Sequence, residues 1–165
     1  MSTTFHIETL SPAVLERVRT TGLDAAGTPV VRLTAEGDEP LRCCLRNARA
    51  GEECLLFGFT PALPAASPYQ EMGAVFAHAQ PCPGPEYSDR YPAEWYGRRQ
   101  VLRAYDARGW IHPSTTLHDG QDPEATIAEI FQHPDVVEIH SRNVSYGCYM
   151  FAVTRGDVAT LSGVR

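Results

Sequence analysis

A carboxylate and an imidazole occur close together in the middle of the chain. Glu71 precedes a predicted strand that contains His78, seven residues further on. Alternate side chains of a strand share a face, and a bulge at Gly73 would bring Glu71 onto the face of His78. A carboxylate beside an imidazole orients the ring and raises its basicity, as an acid/base pair requires. Glu71 and His78 are therefore candidate catalytic residues. The structural alternative for His78 is a hydrogen-bonded histidine inside a half-polar sheet.

A thiol flanked by two arginines lies earlier in the chain, in Arg42-Cys43-Cys44-Leu45-Arg46. Guanidinium groups stabilise a thiolate, so this arrangement makes Cys44 a candidate nucleophile. The alternative is that Cys44 packs in the core, because free cysteine is among the residue types most often buried.

The segment from His140 to Tyr149 joins two predicted strands and carries an imidazole, a guanidinium, an amide and a thiol. Polar groups at strand ends frequently form sites. Arg142 and Asn143 suit a carboxylate or carbonyl oxygen of a substrate, while His140 and Cys148 are further catalytic candidates. The structural alternative is a turn stabilised by Asn143, with Arg142 exposed.

Arg103 lies within an apolar predicted strand, beside Tyr105. A buried arginine normally has a fixed anionic partner, which could be Glu71 or a ligand. We therefore expect Arg103 and Arg142 to hold an anionic substrate, with Tyr69 and Tyr105 as further substrate-binding residues.

Cysteine and histidine are also the ligands of zinc, and a site made of Cys44, His78, Cys82 and Cys148 is conceivable. The chain contains no Cys-x-x-Cys pair, however, and the spacing from His78 to Cys82 is common by chance. The sequence therefore predicts no metal ligands and no cofactor.

Two helices and about six strands must position these side chains. The helices begin at Ser11-Pro12 and Asp122-Pro123, where a capping side chain precedes a proline. Because the helices do not alternate with the strands, the pattern indicates an α+β fold in one domain, residues 1–165, with one mostly antiparallel, twisted or partly closed sheet. The predicted strands cover residues 29–33, 53–59, 72–79, 100–106, 136–140 and 146–153.

Composition excludes several classes of function. All 14 residues of the Lys+Arg count are arginine, so the chain supplies no lysine for a Schiff base or a Walker-type phosphate loop. A net charge of -6, with no stretch that interleaves arginines and aromatic residues, argues against a nucleic-acid partner. No long apolar run and no signal-peptide pattern occurs, so we expect no membrane partner and a cytoplasmic location with reduced cysteines.

Several of these motifs, taken in order, resemble small bacterial proteins of the domain-of-unknown-function 1203 family, and the resemblance covers nearly the whole chain. Similar proteins usually carry Cys-x-x-Cys-Leu in the first motif, whereas Leu41 stands here at the first cysteine position. This departure argues against a two-cysteine metal or redox site, and Cys43 is not an obvious substitute. The family brings no established reaction. The matching motifs are Cys44-Leu45-Arg46, Glu52 to Phe57, Tyr69 to Gly73, Phe76 to Ala79 with Cys82, Leu102 to Asp106, Ile139 to Asn143 and Gly147-Cys148-Tyr149.

These residues together favour a small cofactor-independent enzyme that acts on a small polar or anionic metabolite by acid/base or cysteine chemistry. A lyase, dehydratase, cyclase or hydrolase would fit. One alternative is a non-catalytic module that binds a small ligand or a protein through a groove rimmed by Tyr91, Trp95 and Tyr96 in the aromatic loop from Tyr87 to Tyr96. A zinc-dependent hydrolase is another. The sequence defines neither the substrate nor the oligomeric state.

Overall fold

A computed structural model describes residues 4–156 of the chain, and in that range it contains two α-helices, one short 3₁₀-helix (Ala93–Trp95) and ten strands. The helices are α1 (Pro12–Thr21) and α2 (Pro123–Ile130). The strands are β1 (Phe5–Glu8), β2 (Val31–Thr34), β3 (Pro40–Leu41), β4 (Arg46–Asn47), β5 (Glu53–Phe59), β6 (Gly73–His78), β7 (Gln100–Asp106), β8 (Thr116–His118), β9 (Val136–Asn143) and β10 (Tyr149–Arg155).

The ten strands form two sheets of five. The first sheet has the order β1-β10-β9-β7-β8, and the second has the order β2-β5-β6-β3-β4. Strand pairs are antiparallel except for β3 and β6, which are parallel. The structure therefore confirms a mostly antiparallel α+β fold, but the prediction of one sheet with about six strands is wrong. The difference arises because β1, β3, β4 and β8 are two to four residues long and show too little alternation to be recognised.

Both predicted helix starts are confirmed by their capping contacts. The Ser11 hydroxyl accepts the N–H of Val14 at 3.3 Å, and the Asp122 carboxylate accepts the N–H of Ala125 at 3.1 Å. Helix α1 ends at Gly22, whose φ of 66° is the left-handed conformation that favours glycine. No helix among residues 4–156 is long and apolar enough to cross a bilayer.

Each sheet has its own buried core, and β10 contributes to both. Helix α2 and the loop before β7 cover the first sheet, with Ile127 and Trp95 packed on Phe151 and its neighbours. Helix α1 packs on the second sheet through Leu15 and Val18. The two sheets meet because Tyr149 and Ala152, from β10 of the first sheet, belong to the core of the second, which also contains Leu41, Leu55, Phe57, Val75 and Ala77.

The aromatic loop is only partly a surface feature. Tyr91 and Trp95 are buried, and the Trp95 indole stacks on Phe151 with ring centroids 6.0 Å apart. Tyr87 and Tyr96 are exposed. Two of the four aromatic side chains therefore belong to the core, where they fix the loop against the first sheet, so they do not form the groove rim considered from the sequence.

Candidate functional site

The turn between β3 and β4 carries Cys43 and Cys44, and both side chains are buried. The residue after them, Leu45, has a φ of 57°, a left-handed conformation that is rare for a residue with a branched side chain. Its side chain packs in the core of the first sheet, which offsets the backbone cost. Such strained positions cluster at functional sites.

His78, the last residue of β6, faces both thiols. Its Nδ1 atom lies 3.5 Å from Sγ of Cys43 and 3.7 Å from Sγ of Cys44, and the two sulfurs are 3.9 Å apart. The backbone N–H of His78 also donates to Sγ of Cys43 at 3.2 Å. The structure therefore brings the predicted residues Cys44 and His78 together, and adds Cys43.

A third thiol completes the cluster. Cys82 lies four residues after His78 in a proline-rich segment, and the four ligand atoms of Cys43, Cys44, His78 and Cys82 all lie within 4.8 Å of one another. The Arg19 guanidinium of α1 donates to the carbonyls of His78 and Gln80, at 2.9 and 3.1 Å. Helix α1 thereby holds the segment that carries Cys82 against the end of β6.

The opposite side of the imidazole faces an ion pair. Nε2 of His78 lies 3.2 Å from Oε1 of Glu52, and Arg46 binds both oxygens of Glu52 at 2.8 and 3.0 Å. The Arg46 guanidinium and the backbone N–H of Arg49 hold the pKa of the Glu52 carboxyl well below its usual range. A proton on Nε2 that donates to this carboxylate leaves the Nδ1 lone pair directed at the sulfurs.

The pKa values of the two adjacent thiols shift in opposite directions. A hydrogen bond from Cys44 lowers the pKa of Cys43 to about 5, despite burial, and the His78 backbone N–H acts in the same direction. The same hydrogen bond, together with burial, raises the pKa of Cys44 far above its ordinary value. Cys43 is thus the more readily ionised thiol, whereas the flanking arginines of the sequence led us to expect Cys44 in that role.

Glu71 does not pair with His78. Strand β6 pairs with β5 in unbroken register from Gly73 to His78, so no bulge at Gly73 turns Glu71 toward the imidazole. The two residues instead lie at opposite ends of β6. Glu71 binds Arg142 at 2.8 Å and Arg103 at 3.1 Å, both through Oε1, which makes it the anionic partner that Arg103 required.

Glu71, Arg103 and Arg142 form a second cluster. Some of the other candidate residues lie near it. His140 is on β9, as predicted, but β9 extends to Asn143, so Arg142 also lies on this strand and not in the turn expected there. His140 is buried, with its Nε2 atom 2.6 Å from Glu138, and it contacts Tyr105 and Tyr149. Cys148 and Glu71 line the same cleft, which has a volume of about 370 Å³.

Tyr69 and Asn143 lie apart from both clusters. Tyr69 is exposed and packs edge-on against Trp110. Asn143 lines a different cleft, together with Arg42. Arg42 is itself buried and donates from Nε to the Tyr149 carbonyl at 2.8 Å, so it does not flank the thiols as the sequence indicated.

Sequence reasoning missed Cys43 and Glu52 as parts of the site, and it placed Arg46 beside the Cys44 thiol without its carboxylate partner. The sequence pattern made only Cys44 a candidate and gave Cys43 no role. The turn between β3 and β4 places both thiols beside His78. Glu52 and Arg46 lie in motifs that carry the family resemblance, which is the signal that could have marked them.

The geometry defines an α+β protein with a partly buried cluster of three thiols and an imidazole. Its sequence from residue 38 to residue 155 matches the profile of the family described as protein of unknown function (DUF1203). The chain belongs to this family. No match was found among curated proteins or among solved structures.

Proposed function

We propose that the protein binds one Zn²⁺ ion through Cys43, Cys44, Cys82 and Nδ1 of His78. The observation that carries this proposal is the spacing of the four ligand atoms, which lie within 4.8 Å of one another. Thiolate and imidazole are the ligands of structural zinc sites, and a Cys₃His set is one of their standard compositions.

The individual separations agree with a tetrahedron around zinc. Zn–S bonds of about 2.3 Å and Zn–N bonds of about 2.0 to 2.1 Å give tetrahedral edges of roughly 3.8 Å between sulfurs and roughly 3.6 Å between sulfur and nitrogen. The corresponding separations are 3.9 Å between Cys43 and Cys44, and 3.5 and 3.7 Å from these sulfurs to His78. A zinc ion therefore fits among these three atoms without moving them apart.

The surroundings of the cluster supply three further features of such a site. Histidine ligands of metals almost always donate their second ring N–H to an acceptor, and Glu52 is placed to accept from Nε2 of His78. Three thiolates around Zn²⁺ leave one net negative charge, and the Arg46 guanidinium, whose Nη2 atom lies 3.3 Å from Nε2 of His78, places a positive charge beside the cluster. A cleft of about 730 Å³, lined in part by Cys43 and Cys82, gives the ion a path from solvent.

Four protein ligands fill a tetrahedral coordination sphere, whereas catalytic zinc keeps a position open for water or substrate. We therefore infer a structural role for the ion, which would tie the β3–β4 turn to the end of β6 and to the segment around Cys82. This role differs from the zinc-dependent hydrolase considered from the sequence. It also assigns His78 to metal binding and not to proton transfer. A reducing cytoplasm, which we expect for this chain, would keep the thiols available.

Cobalt substitution tests the proposal. The purified protein is stripped of metal, and Co²⁺ is added while the visible and near-ultraviolet spectra are recorded. We expect one equivalent to give the intense bands of tetrahedral cobalt with thiolate ligands, and one equivalent of Zn²⁺ to abolish them. Octahedral spectra, or no saturable binding, would overturn the proposal.

Matched variants locate the ion. Cys82→Ser should weaken binding and change the charge-transfer band, whereas Cys148→Ser, a similarly half-buried free thiol, should change neither. His133→Asn controls for a second group of possible ligands, His112, His133 and Asp135. Cobalt bands that disappear in His133→Asn and persist in Cys82→Ser would place the metal at that second group and contradict the proposal.

A further inference from the structure

The first sheet presents a pair of arginines on one face. Arg103 of β7 pairs in register with His140 of β9, so Arg103 and Arg142 extend from neighbouring strands on the same side of the sheet. Both guanidiniums contact the same atom, Oε1 of Glu71, at 3.1 and 2.8 Å. Two positive charges thus share one carboxylate.

This pairing leaves the more buried arginine incompletely satisfied. The Arg142 side chain is 8% exposed, and its buried Nε atom has no hydrogen-bond partner within the range from residue 4 to residue 156. A buried guanidinium normally meets a carboxylate through two parallel hydrogen bonds, and an unpaired buried donor is costly. The site therefore has more donor capacity than Glu71 uses.

Glu71 is the exposed and least constrained member of the cluster. Its side chain is 53% exposed, against 27% for Arg103, and it precedes β6 in a segment outside any helix or strand. Rotation of this side chain toward solvent would break no hydrogen bond of the sheet. The carboxylate can thus leave the two arginines while they stay in place on their strands.

A cleft of about 370 Å³ opens beside the arginine pair. Its other walls include Pro61, Met72, Cys148 and Tyr149, which offer apolar and thiol surface next to the charge. Sites for small molecules combine such surface with a few fixed polar groups. The cleft has ample volume for a molecule of a few carbon atoms.

We propose that Arg103 and Arg142 form a binding site for a small carboxylate, whose carboxylate group replaces that of Glu71 between the two guanidiniums. The two arginines already bind a carboxylate, that of Glu71. A ligand carboxylate can therefore take its place without any rearrangement of the sheet. Glu71 then acts as an internal competitor that keeps the charges paired when the ligand is absent. The site is separate from the proposed zinc centre, which lies at the other end of β6.

Propionate is the probe, because it reproduces the glutamate side chain from Cβ outward. Its binding to the full chain is followed by NMR titration of the arginine Nε–H signals. We expect wild-type protein to bind propionate, and Glu71→Ala to bind it roughly tenfold more tightly or better, because the competitor is removed. Binding to Glu71→Ala without binding to wild type would overturn the proposal and make Glu71 a permanent structural partner.

Substitution of Arg103 completes the test. Arg103→Gln should weaken propionate binding by roughly tenfold or more, whereas Arg99→Gln, an exposed arginine of another cleft, should leave it unchanged. Arg103 is chosen because it is more exposed than Arg142, so its replacement is less disruptive to folding. Equal binding by the Arg103→Gln and wild-type proteins would overturn the proposal. Cobalt binding by Arg103→Gln should be normal, which separates this test from that of the zinc site.

Discussion

The imidazole of His78 and the carboxylate of Glu52 are joined by a 3.2 Å contact between Nε2 and Oε1, on the side of the ring opposite the thiols. This contact holds the ring with Nδ1 toward Cys43 and Cys44, and a proton on Nε2 would donate to the carboxylate. Glu52 is in turn held by both terminal nitrogens of Arg46. The half-buried ion pair of Arg46 and Glu52 is therefore in direct contact with the proposed metal ligand His78.

Replacement of Glu52 should weaken zinc binding without removing a ligand. We expect Glu52→Gln to lower the zinc affinity about 10- to 100-fold, the usual effect of losing a residue that positions a metal-bound histidine. The measurement is competition with a chelator of known affinity. Glu53→Gln is the matched control, because Glu53 is the next residue and pairs with Arg32 and Thr34 away from the cluster.

The cobalt spectrum separates positioning from ligation. Glu52→Gln should keep the tetrahedral thiolate bands of the wild type, since all four ligands remain. Equal zinc affinities for Glu52→Gln and Glu53→Gln would show that the carboxylate does not position His78.

Removal of zinc should destabilise the folded protein. An ion that binds only the native state adds about 4 kcal/mol when its free concentration is 1,000-fold above its Kd. For a chain of this size that corresponds to a fall in Tm on the order of 10 °C when a strong chelator is added. Differential scanning calorimetry with and without chelator measures the change. Cys82→Ser should show little response to the chelator, and a wild-type Tm that does not respond would contradict a structural role for the ion.

Local signals predicted the individual elements well. The strands β5 and β7 have the bounds expected from their residues, and both helices begin at the predicted caps. The partition into two sheets could not be predicted, because it depends on pairings between distant segments such as β1 with β10. Short strands such as β3, which has two residues, show no periodicity at all.

The candidate site was predicted only in part, for a physical reason specific to each residue. The motif residues Cys44 and His78 do lie together, because β3 and β6 are neighbours in the second sheet. Cys43 joins them from the turn between β3 and β4, whose left-handed residue Leu45 no sequence pattern indicated. Glu71 was assigned to His78 on the assumption of a bulge, but the regular register of β6 keeps the two residues apart.

The indole of Trp95 depends on one hydrogen bond. Its Nε1–H donates to Oδ1 of Asn47 at 2.9 Å, and the Trp95 side chain is fully buried. We expect Asn47→Ala to lower the free energy of unfolding by about 1 to 3 kcal/mol, the cost of a buried donor without an acceptor. Urea denaturation measures the change. Trp110→Phe, at an exposed tryptophan, should stay within about 0.5 kcal/mol of wild type.

A double-mutant cycle identifies the hydrogen bond as the cause. In a Trp95→Phe background the donor is absent, so Asn47→Ala should cost clearly less than in the wild type. The same cost in both backgrounds would mean that Asn47 stabilises the fold through other contacts.

His118 should make stability depend on pH. It is buried, and burial lowers its pKa from the ordinary value of 6.5, while Asp119 acts weakly in the opposite direction. Its Nδ1 accepts the backbone N–H of Gly120 at 3.0 Å, a bond that requires the unprotonated nitrogen. Below about pH 6.5 the unfolded chain therefore takes up a proton that the folded chain resists, so this contribution to stability is complete above pH 6.5 and is lost as the pH falls.

The substitution His118→Asn isolates this effect, because the amide oxygen can still accept from Gly120 but does not titrate. We expect the free energy of unfolding of His118→Asn, measured by urea denaturation between pH 7 and pH 5, to fall less steeply than that of the wild type. His6→Asn, at an exposed histidine of β1, is the control and should follow the wild-type slope. Parallel slopes for His118→Asn and wild type would show that acid destabilises the protein through other groups.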